Sequence, residues 1–157
     1  MAATIVTRQA QLYQREADEV MYIAPTASQT FLQGQFLKVV SGKLTAHVTS
    51  AGTSELMWFF SMGPAVDPVT ATLVSLVPVV RVRPGQVYEL TFEGTSAQTD
   101  LGGTFGLKVT SGINTVDKAD TTNIVFKLLQ LPNDAVDGVV TDINVRGLFE
   151  VIPAHIG

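Results

Sequence analysis

Cysteine is absent from this 157-residue chain, and several other reactive residue types are scarce. Without thiols there is no disulfide, no thiolate nucleophile and no zinc–thiolate site, and the redox compartment is left undetermined. Histidine occurs only at His47 and His155, and nothing in the sequence brings the two together with acidic ligands, so both read as surface or hydrogen-bonded side chains. Charged residues make up 15% of the chain, below the roughly 25% of an average soluble domain. The formal net charge of −4 supplies no basic stripe to neutralise phosphates, which argues against a nucleic-acid partner. Residues 71–82 form the longest apolar region, interrupted by Thr72, Ser75, Pro78 and Arg81. It falls short of the ~20 residues that a bilayer-spanning helix needs, so no membrane partner is expected. The N-terminus lacks the basic start and apolar stretch of a secretory signal, and the chain is expected to be soluble and unprocessed.

What is present is apolar and strand-forming. Apolar residues make up 46% of the chain, enough to fill a core while leaving little charge for the outside. That composition is consistent with burial against partners. Short runs rich in Val, Ile, Thr and Phe alternate with turn residues after position 30. Residues 36–40 and 44–48 flank Ser41-Gly42-Lys43, a hairpin signal, and 79–83 and 87–92 alternate with period two around Pro84-Gly85. Residues 139–145 and 148–152 read as two closing strands. Turn signals every ~8–12 residues predict an all-β fold, a compact β-barrel or β-sandwich.

One segment echoes another. Leu37-Lys38-Val39-Val40-Ser41-Gly42 and Leu107-Lys108-Val109-Thr110-Ser111-Gly112 agree at five of six positions, and each follows a Gly-x-Phe, at Gly34 and Gly103. The pattern divides a β domain of residues 31–157 into two related halves, about 31–93 and 94–157. Two halves of one barrel and two separate lobes both remain open. Residues 1–30 are the most polar part of the chain and read as an extended N-terminal arm or a short helical turn, with Val20 to Ile23 entering the fold.

No constellation of catalytic, cofactor-binding or metal-ligating residues stands out. Asp117-x-x-Asp120-x-x-Asn123 is too sparse for a calcium loop, and Asp and Asn favour turns by bonding their own backbone. No serine sits in a nucleophile elbow, and Gly102-Gly103 is not followed by a phosphate-loop lysine. No pair of carboxylates stands out for glycoside hydrolysis. The chain is therefore not expected to be an enzyme.

Gly106-Leu107-Lys108-Val109-Thr110-Ser111-Gly112, Val116-Asp117 and Asp120-Thr121-Thr122-Asn123 before an apolar strand resemble the pattern of small head decoration (cement) proteins of tailed bacteriophages. Phe92-Glu93-Gly94-Thr95 and Val145-Arg146-Gly147 fit as well. The resemblance covers roughly residues 87–152, and more weakly 20–60. It implies a small β barrel or sandwich with an arm, made in the host cytoplasm and placed on the outer surface of the virion. There it would bind the major capsid protein as a homo-oligomer, a trimer ahead of a dimer, and reinforce the shell without a cofactor. On this reading Leu12, Tyr13 and Arg15 of the arm would contact the capsid, and Trp58 and Phe60 would form subunit contacts. Another virion part (tail, neck or fibre) and a carbohydrate-binding β-sandwich module are the competing readings.

Overall fold

The computed structural model describes residues 10–14, 19–26, 32–47, 56–65, 76–110, 112–131 and 143–157. Among them the chain is all-β, with one 3-10 turn at Gln98–Asp100. In order the strands are β1 (Gln11–Gln14), β2 (Met21–Ile23), β3 (Phe36–Val40), β4 (Lys43–Ala46), β5 (Phe59–Ser61) and β6 (Val77–Arg81). They are followed by β7 (Val87–Thr95), β8 (Thr104–Thr110), β9 (Ile113–Asp117), β10 (Ile124–Gln130) and β11 (Ile143–Val151).

The strands form two sheets. In the six-stranded sheet the order is β1-β7-β11-β10-β8-β9, and β9 returns to pair with β7 in parallel. This closes β7, β11, β10, β8 and β9 into a five-stranded barrel, with β1 as an added strand. The second sheet runs β2-β6-β5-β3-β4. Its outer strands meet through a single parallel bridge from Pro25 to Leu44. There Leu44 N–H donates to the Ala24 carbonyl at 3.0 Å and Thr26 N–H to the Leu44 carbonyl at 2.8 Å.

Both sheets follow one wiring. The first strand of each set (β2, β7) pairs with the last (β6, β11), and the last with the fourth (β5, β10). The fourth pairs with the second (β3, β8), and the second with the third (β4, β9). The third returns in parallel toward the first. The repeated hexapeptides lie on the equivalent hairpins. Leu37↔Ala46, Lys38↔Thr45, Val39↔Leu44 and Val40↔Lys43 recur as Leu107↔Val116, Lys108↔Thr115, Val109↔Asn114 and Thr110↔Ile113, every pair shifted by seventy positions. Gly42 and Gly112 both adopt φ 76°, and Ser41 before the first adopts φ 49°. Two successive positive φ values are what a tight two-residue hairpin turn requires, and glycine supplies one without strain.

The boundaries differ from those read in the sequence. β7 runs unbroken over Val87–Thr95, so a division at 93/94 falls inside one strand, and the change of sheet comes at the turn through Pro84 and Gly85. Of the two expected closing strands, 143–145 and 148–151 belong to one strand, β11, and residues 139–142 lie outside the described residues. Of the residues read as an arm, Met21–Ile23 enter the fold as β2 of the second sheet, and Gln11–Gln14 lie on β7 as β1. β1 is extended rather than helical because its backbone pairs along the edge of β7.

Two clusters make the core. The larger joins both sheets: Phe36, Phe60, Val80 and Val82 from one pack with Tyr88, Leu90, Phe92, Phe126 and Phe149 from the other. The smaller is local to the second sheet and contains Leu37, Leu44, Phe59, Val77 and Val79. Successive residues of β3, β5 and β6 thus turn to different clusters, as the two-residue period of a strand dictates, and this sheet is buried on both faces. Seven rings form a contiguous chain through the larger cluster. Phe36 and Phe60 each lie within 5.0 Å of Tyr88, Phe36 also meets Phe126, and contacts continue through Phe149 and Phe92 to Phe105. Such tilted pairs contribute about 0.5–1.5 kcal/mol each beyond area burial.

Polar side chains fix the sheets further. Buried Asn114 on β9 accepts the Phe36 backbone N–H at 2.9 Å, and Gln35 Nε2 donates to the Gly112 carbonyl. The tip of the β8–β9 hairpin is therefore clasped by the start of β3. Leaving such a buried donor orphaned would cost about 1–3 kcal/mol.

Candidate functional site

A cluster of charged side chains lies over the seam where β9 closes on β7. The seam is short: only Phe92↔Val116 and Glu93↔Asp117 pair across it. A shallow depression lined by Glu93, Gly94, Lys108, Asp117, Lys118 and Ala119 sits above. Period two sends Phe92 and Val116 into the core and leaves Glu93 and Asp117 outside.

These charges are engaged with one another. Glu93 accepts from Lys108 Nζ at 3.1 Å and from the Thr115 hydroxyl at 2.6 Å. Lys118 Nζ reaches Asp100 Oδ2 at 2.9 Å and the Thr95 carbonyl at 2.6 Å. The same Asp100 oxygen accepts the Ala97 N–H at 2.8 Å, fixing the 3-10 turn. The Glu93 hydrogen bond raises the Lys108 pKa above its ordinary value; partial burial opposes this, and the charges of Glu93 and Asp117 reinforce it. The arrangement braces a two-pair parallel closure.

The aspartates of the adjoining turn bond their own backbone. Asp117 Oδ1 accepts the Ala119 N–H, and Asp120 Oδ1 accepts those of Thr122 and Asn123. Their spacing is a turn signature, with Ala119, Thr121 and Thr122 exposed at the corner. Among the described residues no group of three His, Asp or Glu side chains is arranged to hold a metal ion. No protein-family model matches the chain, and no curated protein matches it.

The structure disperses the residues singled out in the sequence. Leu12 on β1 is half-buried and packs against the larger core cluster of its own chain. Tyr13 follows on β1, and the description does not extend to its side chain; Arg15 lies outside the described residues. Phe60 is 3% exposed and faces Phe36 and Tyr88 within its own chain. Its strand is buried on both faces, so an apolar run there signals core.

Trp58 is half-buried, with the Arg81 guanidinium 4.9 Å from its ring centroid. Arg81 also donates to the Gly157 carbonyl at 2.8 Å, and Met57 forms a parallel bridge with Ile156. One face of the indole is thus occupied by the chain's own residues. His47 is buried, and the His155 ring lies 3.3 Å from the Ile124 carbonyl.

Sequence reasoning missed the Gln35–Asn114 clasp and the braced seam. The one available signal was the repeat itself. Asn114 occupies the hairpin position that Leu44 holds in the other copy, and a polar residue in place of an apolar one marks an altered neighbour.

Proposed function

We propose that this chain is a structural virion protein that binds the outside of a tailed-phage capsid shell and stabilises it. In this reading it is made in the host cytoplasm, contacts the major capsid protein and acts as a homo-oligomer, a trimer ahead of a dimer. The observation that carries the reading is the placement of the resembling stretch. Residues 106–110 and 112–123 form the two strands of a hairpin and a braced turn at one corner of a closed barrel, with small side chains outermost. Such a corner can lie flat on a protein surface with little entropy to lose. Repetition over a symmetric shell multiplies weak contacts through avidity.

The arrangement of aromatics favours this over a carbohydrate-binding module. Six phenylalanines and Tyr88 are committed to the ring chain in the core, whereas a sugar platform needs them outside.

Mixing the protein with undecorated, expanded capsids tests the reading. Stoichiometric association that raises the temperature of shell disruption is expected, and absence of association would sink it. Removing residues 1–9 is the informative truncation, because it spares β1; deletion through residue 20 would strip Ala10 and Leu12 from the core.

A further inference from the structure

The two related sheets differ at one equivalent place, the edge of the first strand of each set. On β7 the parallel closure uses only Phe92 and Glu93, and β1 fills the stretch before it, opposite Val87, Tyr88 and Glu89. On β2 the closure uses Pro25, and no strand among the described residues covers the edge before it.

The polarity of that edge follows from a proline. Tyr22 lies opposite Pro78, which has no N–H, so the hydrogen-bonded pairs of this antiparallel ladder are Met21–Val79 and Ile23–Val77. The Tyr22 N–H and C=O therefore point the other way, to the side on which Ala24 and Thr26 bond Leu44. Among the described residues they meet no partner. Large apolar side chains are exposed beside them: Tyr22 at 65%, Leu76 at 56% and Met21 at 45%.

We propose that this edge receives residues 4–8 of a second copy of the chain as an added antiparallel strand. β1 shows that the scaffold accepts an N-terminal segment at the equivalent position of the other sheet. Thr4, Ile5, Val6 and Thr7 are four consecutive β-branched residues, the composition that suits an added strand. With Ile5 opposite Tyr22, Val6 faces Met21 and Arg8 faces Glu19, an exposed carboxylate. The apolar pairs and the opposite charges fall into one register. Chain direction selects a second copy as the donor. β1 runs from Gln11, opposite Glu89, to Gln14, opposite Val87, and the chain then continues to β2. Ala10 therefore stands at the end of β1 near Glu89, away from the turn through Pro84 and Gly85 that leads back to β6 and its own β2.

Light scattering and sedimentation of the full chain over a concentration series test the proposal. Self-association is expected. Tyr22→Pro removes the edge-facing N–H while sparing the ladder to β6, and should give a monomer with an unchanged circular dichroism spectrum. Arg8→Glu and Glu19→Arg should each weaken association about fivefold, and their combination should restore it. A wild-type monomer at every concentration, association indifferent to a folded Tyr22→Pro, or a double reversal that restores nothing would each overturn the proposal. If Tyr22→Pro fails to fold, the charge-reversal pair decides.

Discussion

The β2–β6 sheet and the β7–β11 barrel share a strand order and a hairpin register, yet they close differently. The barrel closes through a two-pair parallel ladder braced by Glu93, Lys108, Thr115 and Lys118. Among the described residues its partner closes through one bridge at Pro25. Strand length accounts for the contrast. β7 and β11 have nine residues each, whereas β2 has three and β6 five. A nine-residue strand can share one edge between β1 and β9 and still pair fully with β11 on the other. Wiring alone therefore does not make a barrel; the first strand must be long enough to meet its neighbours on both sides.

The largest effect expected comes from uniting or separating the two halves. Phe36→Ala removes the ring that touches Phe60, Tyr88 and Phe126, and should cost about 3–5 kcal/mol. Urea unfolding followed by near- and far-ultraviolet circular dichroism should remain one transition, because the cluster is common to both sheets. Leu44→Ala lies in the local cluster and should cost about 2–4 kcal/mol. If Phe36→Ala uncouples the two probes and Leu44→Ala does not, the shared core unites the halves less than the packing implies.

The hairpin turns offer a smaller contrast. A methyl at Gly42 meets open space, so Gly42→Ala should cost about 1 kcal/mol through the positive φ alone. At Gly112 the same methyl would come within 2.9 Å of Gln35 Nε2, disturbing the clasp as well. Gly112→Ala should cost about 1 kcal/mol more. Equal losses in denaturant titrations would show that the clasp contributes nothing to the second hairpin.

The smallest effect is electrostatic. Lys108 has its pKa raised by Glu93, so its contribution is fully present below the unfolded value of about 10.4 and is lost as pH rises through the folded value. The Tm advantage of the wild type over Lys108→Gln should therefore hold at neutral pH and shrink above about pH 10.5. A difference independent of pH would remove Glu93–Lys108 from the account of seam stability.

Much of this comparison could be read in the sequence because its signals are local. The repeated hexapeptide, its glycine and the alternation after Pro84-Gly85 depend on residues within one hairpin, and they identified the all-β fold. The remainder depends on distant pairing. β2 is three residues in a polar stretch, and only Val77–Val79, more than fifty positions away, make it a strand. Phe59 and Phe60 are adjacent and both buried, so no polar alternation distinguishes a two-sided core from an interface. Asn114 looks like a turn residue until Phe36 is placed beside it.

The setting of Trp58 gives the molecule an optical label of its own. The only tryptophan lies on the second sheet, held between Arg81 and Gly157, while Tyr88 sits at the centre of the shared ring chain. Indole emission should follow undocking of residues 155–157 from Met57, and near-ultraviolet dichroism should follow loss of the common core. Two events in one chain become separable by wavelength, without a dye or an added residue.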